Sequence, residues 1–123
     1  MAVTWGNDTA FSVTQTGINN VTEEFLDTID LSGALSAHIQ LEIDNEGGSK
    51  TDDVIISIYA TLDATSEVFD DEPYMTFVIV PDGVALERHP LVVSGVFKFR
   101  IGALSTGGTD TYAVGGDYRV RLT

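Results

Sequence analysis

The chain has 123 residues, no cysteine and a formal net charge of −13. These totals describe one domain of ordinary size that can bury a core without a covalent staple, and they exclude disulfides and thiolate metal sites. They also exclude non-specific nucleic-acid binding over the whole surface, and no apolar run approaches the ~20 residues of a membrane helix. The charge is uneven: residues 1–87 sum to −16 and residues 88–123 to +3.

The opening MAVTWGNDTAFSV lacks the basic and apolar regions of a signal peptide, so no leader is expected and the sequons at Asn7 and Asn20 read as chance. Residues 1–10 read as a polar arm and 11–123 as a single domain. AFSVTQ reads as a strand. VTEEFLDTIDL fits neither the helical nor the strand period cleanly, and the alternation in TIDL favours strand. In HIQLEID, Ile39, Leu41 and Ile43 alternate with His38, Gln40, Glu42 and Asp44, which predicts a strand with one wet face. DVIISIYATL, residues 53–62, is β-branched and continuous, so Val54, Ile56 and Ile58 are predicted deep in the core. The Gly47-Gly48 pair between these runs supplies tight-turn chemistry and predicts a hairpin over residues 36–62.

YMTFVIV, residues 74–80, predicts another strand carrying Phe77 and Ile79 inward, stopped by Pro81-Asp82-Gly83. In VALERHPLVV, Pro90 cannot donate to a ladder and points to an edge or a bend. GVFKFRIGAL alternates Phe97, Phe99 and Ile101 inward with Lys98 and Arg100 outward. DYRVRLT alternates Tyr118, Val120 and Leu122 inward with Arg119 and Arg121 outward. The whole describes an all-β chain: an antiparallel β-sandwich, jelly-roll or Ig-like, of about 7–8 strands.

No phosphate-binding loop, dinucleotide fingerprint, nucleophile elbow or zinc-protease motif is present, and His38 and His89 both read as surface histidines. No enzymatic activity and no cofactor are expected. The carboxylates at Asp44, Glu46, Asp52 and Asp53, and at Asp63, Glu67, Asp70, Asp71 and Glu72, read as solvated loops, with calcium as the alternative. Trp5, Tyr59 and Tyr74 are the candidates for a sugar-stacking platform, against ordinary packing. Lys98, Arg100, Arg119 and Arg121 gather four of the six basic residues on two strands. If those strands pair, the cations form one patch. They then dock an acidic partner or the acidic part of an identical subunit, or they oppose Asp and Glu on a neighbouring strand of the same molecule.

The polar arm MAVTWGNDTAFSV, the cysteine-free all-β pattern, the run LSGALSAHIQLEIDNEG and the closing strand GGDYRVRLT together resemble the small β-sandwich accessory proteins of tailed-phage virions, particularly head decoration (cement) proteins. The resemblance spans about Phe11 to Thr123. It implies a virion structural protein, made in the host cytoplasm and seated on the outer surface of the major capsid protein shell. It also implies a homo-oligomer, commonly a trimer, with no nucleic-acid or membrane partner. In that setting Trp5 and Phe11 are candidate anchors to a neighbour, beside the four cations. The alternatives are a carbohydrate-binding β-sandwich module or a tail, neck or fibre component of a phage.

Overall fold

The computed structural model describes residues 2–45, 52–62, 68–80, 86–107 and 112–123. Ten strands run through the described residues: β1 (Thr9–Ala10), β2 (Gln15–Ile18), β3 (Glu24–Phe25), β4 (Ile29–Asp30), β5 (Ser36–Asn45), β6 (Val54–Thr61), β7 (Met75–Ile79), β8 (Leu86–Ser94), β9 (Lys98–Ser105) and β10 (Tyr112–Arg121). No helix forms among them. Sheet A carries β1 and β2 on one side of β10, then β5 and β8. Sheet B carries β3 and β4 on one side of β9, then β6 and β7. All pairings are antiparallel.

The expected 7–8 strands become ten because two edge strands are each broken. If β1 with β2, and β3 with β4, are each counted as one interrupted strand, eight positions remain, four per sheet. Among the described strands only β6 and β7 are both consecutive in sequence and paired. The other links between these positions pass from one sheet to the other. This connectivity is that of a jelly roll, one of the two sandwiches the sequence allows.

The predicted hairpin over residues 36–62 does not form. β5 pairs with β10 and β8, and β6 pairs with β9 and β7, so the two strands lie in opposite sheets. The cause is burial. Ile39, Leu41 and Ile43 on β5 and Val54, Ile56 and Ile58 on β6 are all buried. In one hairpin those rows would share a face and need a third layer; across a sandwich they cover each other. The Gly47-Gly48 and Pro81-Asp82-Gly83 turns lie outside the described residues.

The core is otherwise close to the expected one. Phe99, Ile101 and Ala103 of β9 and Tyr112 and Val114 of β10 are buried, and Phe77, Tyr118 and Val120 pack against them partly exposed. Phe97 and Leu122 depart from expectation, at 42% and 40% exposure. Each lies just outside its strand. Phe97 precedes β9, and its backbone bonds Thr61 and Leu31 instead of extending the inward row; Leu122 follows β10 and donates to Thr4. The buried Tyr112 hydroxyl donates to the Asp52 carbonyl, tying sheet A to the segment that enters β6. Gly116 has φ 130°, and a Cβ there would collide with the Gln40 carbonyl, so glycine is required where β10 passes Gln40 of β5.

The broken edges are held by one carboxylate. Asp27, between β3 and β4, accepts from the Ser12 amide at 2.9 Å, the Ser12 hydroxyl at 2.8 Å and the Val13 amide at 2.6 Å. Burial works against its charge, but these donors outweigh it and hold its pKa below the ordinary 3.8. A lowered carboxyl pKa stabilises the fold above the unfolded value, and that contribution is lost as pH falls through the native one. Asp27→Asn is therefore expected to melt below the parent at pH 7, and the difference should shrink in thermal scans run progressively below pH 3.8. Phe99, fully buried on the central strand β9, should cost ~3–5 kcal/mol on truncation to alanine, read by denaturant titration.

Candidate interaction surface

The two cationic strands do not pair. β10 lies in sheet A and β9 in sheet B, so Arg119 and Arg121 project from one outer face of the sandwich and Lys98 and Arg100 from the other. The condition for a single four-cation patch is not met. Alternation within each strand predicted which residues point outward; it carries no information on which strands are neighbours.

On sheet B, Arg100 is enclosed by its own molecule. Its guanidinium carbon lies 3.9 Å from the centroid of Phe25 and 4.8 Å from that of Phe69. Phe25 also meets Tyr59 edge-on at 5.7 Å, and the Tyr59 hydroxyl donates to Glu23 at 2.9 Å. Tyr59 is the cross-strand partner of Arg100. Its pKa is raised, first by burial and then by the Glu23 hydrogen bond and charge. Arg100 thus clamps β3 and the segment around Phe69 onto the sheet by cation–π contact. Lys98 stands opposite Asp30, whose pKa is lowered, first by hydrogen bonds from Ser32 and in smaller part by the Lys98 charge. These two cations follow the internal-pairing alternative, although the partner of Arg100 is aromatic. Arg100→Lys, which keeps the charge but loses the flat face, should cost roughly 1 kcal/mol in a denaturant titration.

Sheet A is different. Its outward residues form successive rungs across β10, β5 and β8: Arg121, Ser36 and Ser94; then Arg119, His38 and Val92; then Asp117, Gln40 and Pro90; then Gly115, Glu42 and Arg88; then Ala113, Asp44 and Leu86. The arm runs beside them. Trp5 bridges Arg121, Gly6 donates to the Val120 carbonyl, and the Trp5 ring stands edge-on to His38 at 4.7 Å. Trp5 stays 41% exposed, whereas Phe11 is buried against Tyr118 at 5.2 Å. Of the two proposed arm anchors, Phe11 is therefore packed into its own sandwich and only Trp5 is presented outward.

The lower rungs of this face are acidic. Asp117 is held above its ordinary pKa by burial, then by a hydrogen bond with Asp8 and by the charges of Asp8 and Glu42, with Arg119 acting in the opposite sense. Glu42 meets Arg88 at 3.5 Å. Small residues on β10 leave a recess of about 210 Å³ beside Glu42, Asp44 and Leu86. One face thus carries Arg121, Arg119, His38 and Trp5 at one end and Asp8, Asp117, Glu42 and Asp44 at the other. The acidic half was missed from sequence because its members are widely separated in the chain; only the strand register brings them together.

His89 corrects the reading as a surface histidine. It stands on the inward row of β8 with Glu87, which is buried, and its Nε2 lies 3.6 Å from the Glu87 carboxylate. Pro90, not His89, takes the outward position. Trp5, Tyr59 and Tyr74 do not share a platform: Trp5 lies on sheet A, Tyr59 on sheet B, and Tyr74 at the end of the sandwich, bonded to the Ser94 carbonyl. Among the described residues no group of three or more His, Asp or Glu is placed to hold a metal ion. Glu46, Asp63 and Glu67 lie outside them.

The fold and this surface define a jelly-roll sandwich whose exposed chemistry sits on sheet faces and ends. No family model and no curated protein matches the sequence. Among solved structures, the chain is similar to a protein of the disulfide-linked pili of Bacillus endospore appendages. The TM-score is 0.54 at 15% identity, over 100% of this chain and 93% of the other. It also aligns with VP2 of the infectious bursal disease virus subviral particle, with a TM-score of 0.46 at 17% identity, over 98% of this chain and 32% of the other. A third alignment is with Desmodium yellow mottle tymovirus, with a TM-score of 0.39 at 10% identity, over 98% and 89%. At these identities the likeness to the pilus protein shows a shared fold, and the two virus alignments carry no argument.

Proposed function

We propose that this chain is a structural component of a particle, a decoration protein seated on the outer face of a shell built by a major capsid protein, with no catalytic role. The observation that carries the reading is one apolar end of the sandwich. Leu35, Leu62 and Phe97 are 56%, 69% and 42% exposed there, around a shallow recess of about 340 Å³. Apolar side chains grouped in this way mark a protein–protein contact. The net charge of −13 makes the body self-repelling, which favours docking to a different surface over general aggregation. Jelly rolls build viral capsid domains, and a fold shared with a pilus subunit is compatible with assembly. A tail or fibre component would use the same end for stacking.

Immuno-electron microscopy of particles from cells carrying the gene tests this. Regular labelling over particle shells is expected, and it should disappear for the Leu35→Asp/Phe97→Asp variant. Labelling confined to fibres would move the protein to the tail. Protein found only free of particles would overturn the reading.

A further inference from the structure

We infer that the outer face of sheet A is a two-fold self-association surface, on which a second copy of this chain lies antiparallel. Charge is ordered along the face. Moving down β10, the outward positions are Arg121, Arg119, Asp117, Gly115 and Ala113, with Ser36, His38, Gln40, Glu42 and Asp44 beside them on β5. The face is therefore cationic and aromatic at one end and acidic at the other. Outward residues of one strand follow each other at about 6.6 Å.

A two-fold axis between the Arg119 and Asp117 rungs superposes the ends crosswise. Arg119 of each copy meets Asp117 of the other, and Arg121 of each meets the rung that carries Glu42. A two-fold contact is self-complementary in this way, and each attractive pair occurs twice. The third strand agrees: Val92 of each copy, 51% exposed, meets Pro90 of the other. Trp5, exposed beside His38 at the cationic end of this face, supplies an aromatic anchor next to the Arg119 rung. Ala113 and Gly115 leave the recess beside Glu42 and Asp44, so the acidic end accommodates long side chains from the facing copy.

Within one copy the acidic end holds two carboxylates close together, with Arg119 acting on Asp117 in the opposite sense. Arg88 serves Glu42, while Asp8 and Asp117 crowd each other. The outer face of sheet B offers no such arrangement, because Arg100 is enclosed by Phe25 and Phe69. The whole-molecule charge of −13 opposes association. At about 0.15 M salt the screening length is about 8 Å, which weakens that long-range repulsion while leaving contact pairs attractive.

The test is solution mass by light scattering at about 0.15 M salt, on the parent, Arg119→Glu, Asp117→Lys and the double variant. The parent should give twice the 13.2 kDa chain mass. Each single change places like charges opposite each other twice and should give the monomer. The double variant reverses both Arg119–Asp117 pairs and should regain the dimer, which separates lost association from lost folding. A monomeric parent, singles that keep the dimer, or a double variant that stays monomeric would each overturn the inference. The surface deepens the assembly reading but is tested apart from it. A monomer that still labels particles sinks the two-fold face alone, and a dimer that labels none sinks the particle role alone.

Discussion

Two apolar rows close in sequence have to be dried at once, and the rest of the structure follows from how that is done. Ile39, Leu41 and Ile43 lie on β5; Val54, Ile56 and Ile58 lie on β6. Apolar surface is removed from water at roughly 25 cal/mol per Å², so leaving either row exposed would cost several kcal/mol. Placing the two strands in opposite sheets lets each row serve as the other's cover. Once β5 and β6 are separated, β10 and β8 complete one sheet and β9 and β7 the other.

That separation decides the fate of the positive charge. β9 and β10 are both amphipathic, and each lies beside a central strand of its own sheet. The cations they carry consequently leave the sandwich in opposite directions. Lys98 and Arg100 meet Asp30 and two phenylalanines and hold their own sheet together. Arg119 and Arg121 face outward beside Trp5 and His38, above a set of carboxylates. One residue pattern thus serves internal clamping on one side and presents an ordered charge surface on the other, and only the identity of the neighbouring strands distinguishes them.

Much of this was legible in the sequence. Period-two alternation placed β5, β7, β9 and β10 and most of the core, the continuous β-branched run placed β6, and Pro90 pointed to an edge or a bend at β8, which is an edge strand. What alternation cannot carry is pairing. The glycine pair after β5 looked like hairpin chemistry, yet turn propensity is a local signal and the competing demand to bury two rows is not. Phe97 and Leu122 read as inward only when the period is extended one residue past each strand end. Phe11 reads as an exposed anchor in a polar arm, but folding back along β10 delivers its ring to Tyr118. His89 takes its inward position from the β8 register, which no local feature announces. The acidic end of sheet A gathers Asp8, Glu42, Asp44 and Asp117 from three segments, so no spacing in the chain could reveal it.

The placement of β5 and β6 in opposite sheets underlies the core, the cation positions and both outer faces. The most direct measurement is a set of backbone cross-strand nuclear Overhauser contacts on the isotope-labelled protein. Ladders are expected from Ile39 to Tyr118 and to Leu91, and from Ile56 to Ala103 and to Phe77, with none between β5 and β6. A continuous β5–β6 ladder would contradict that placement, because both apolar rows would then share one face of a single sheet.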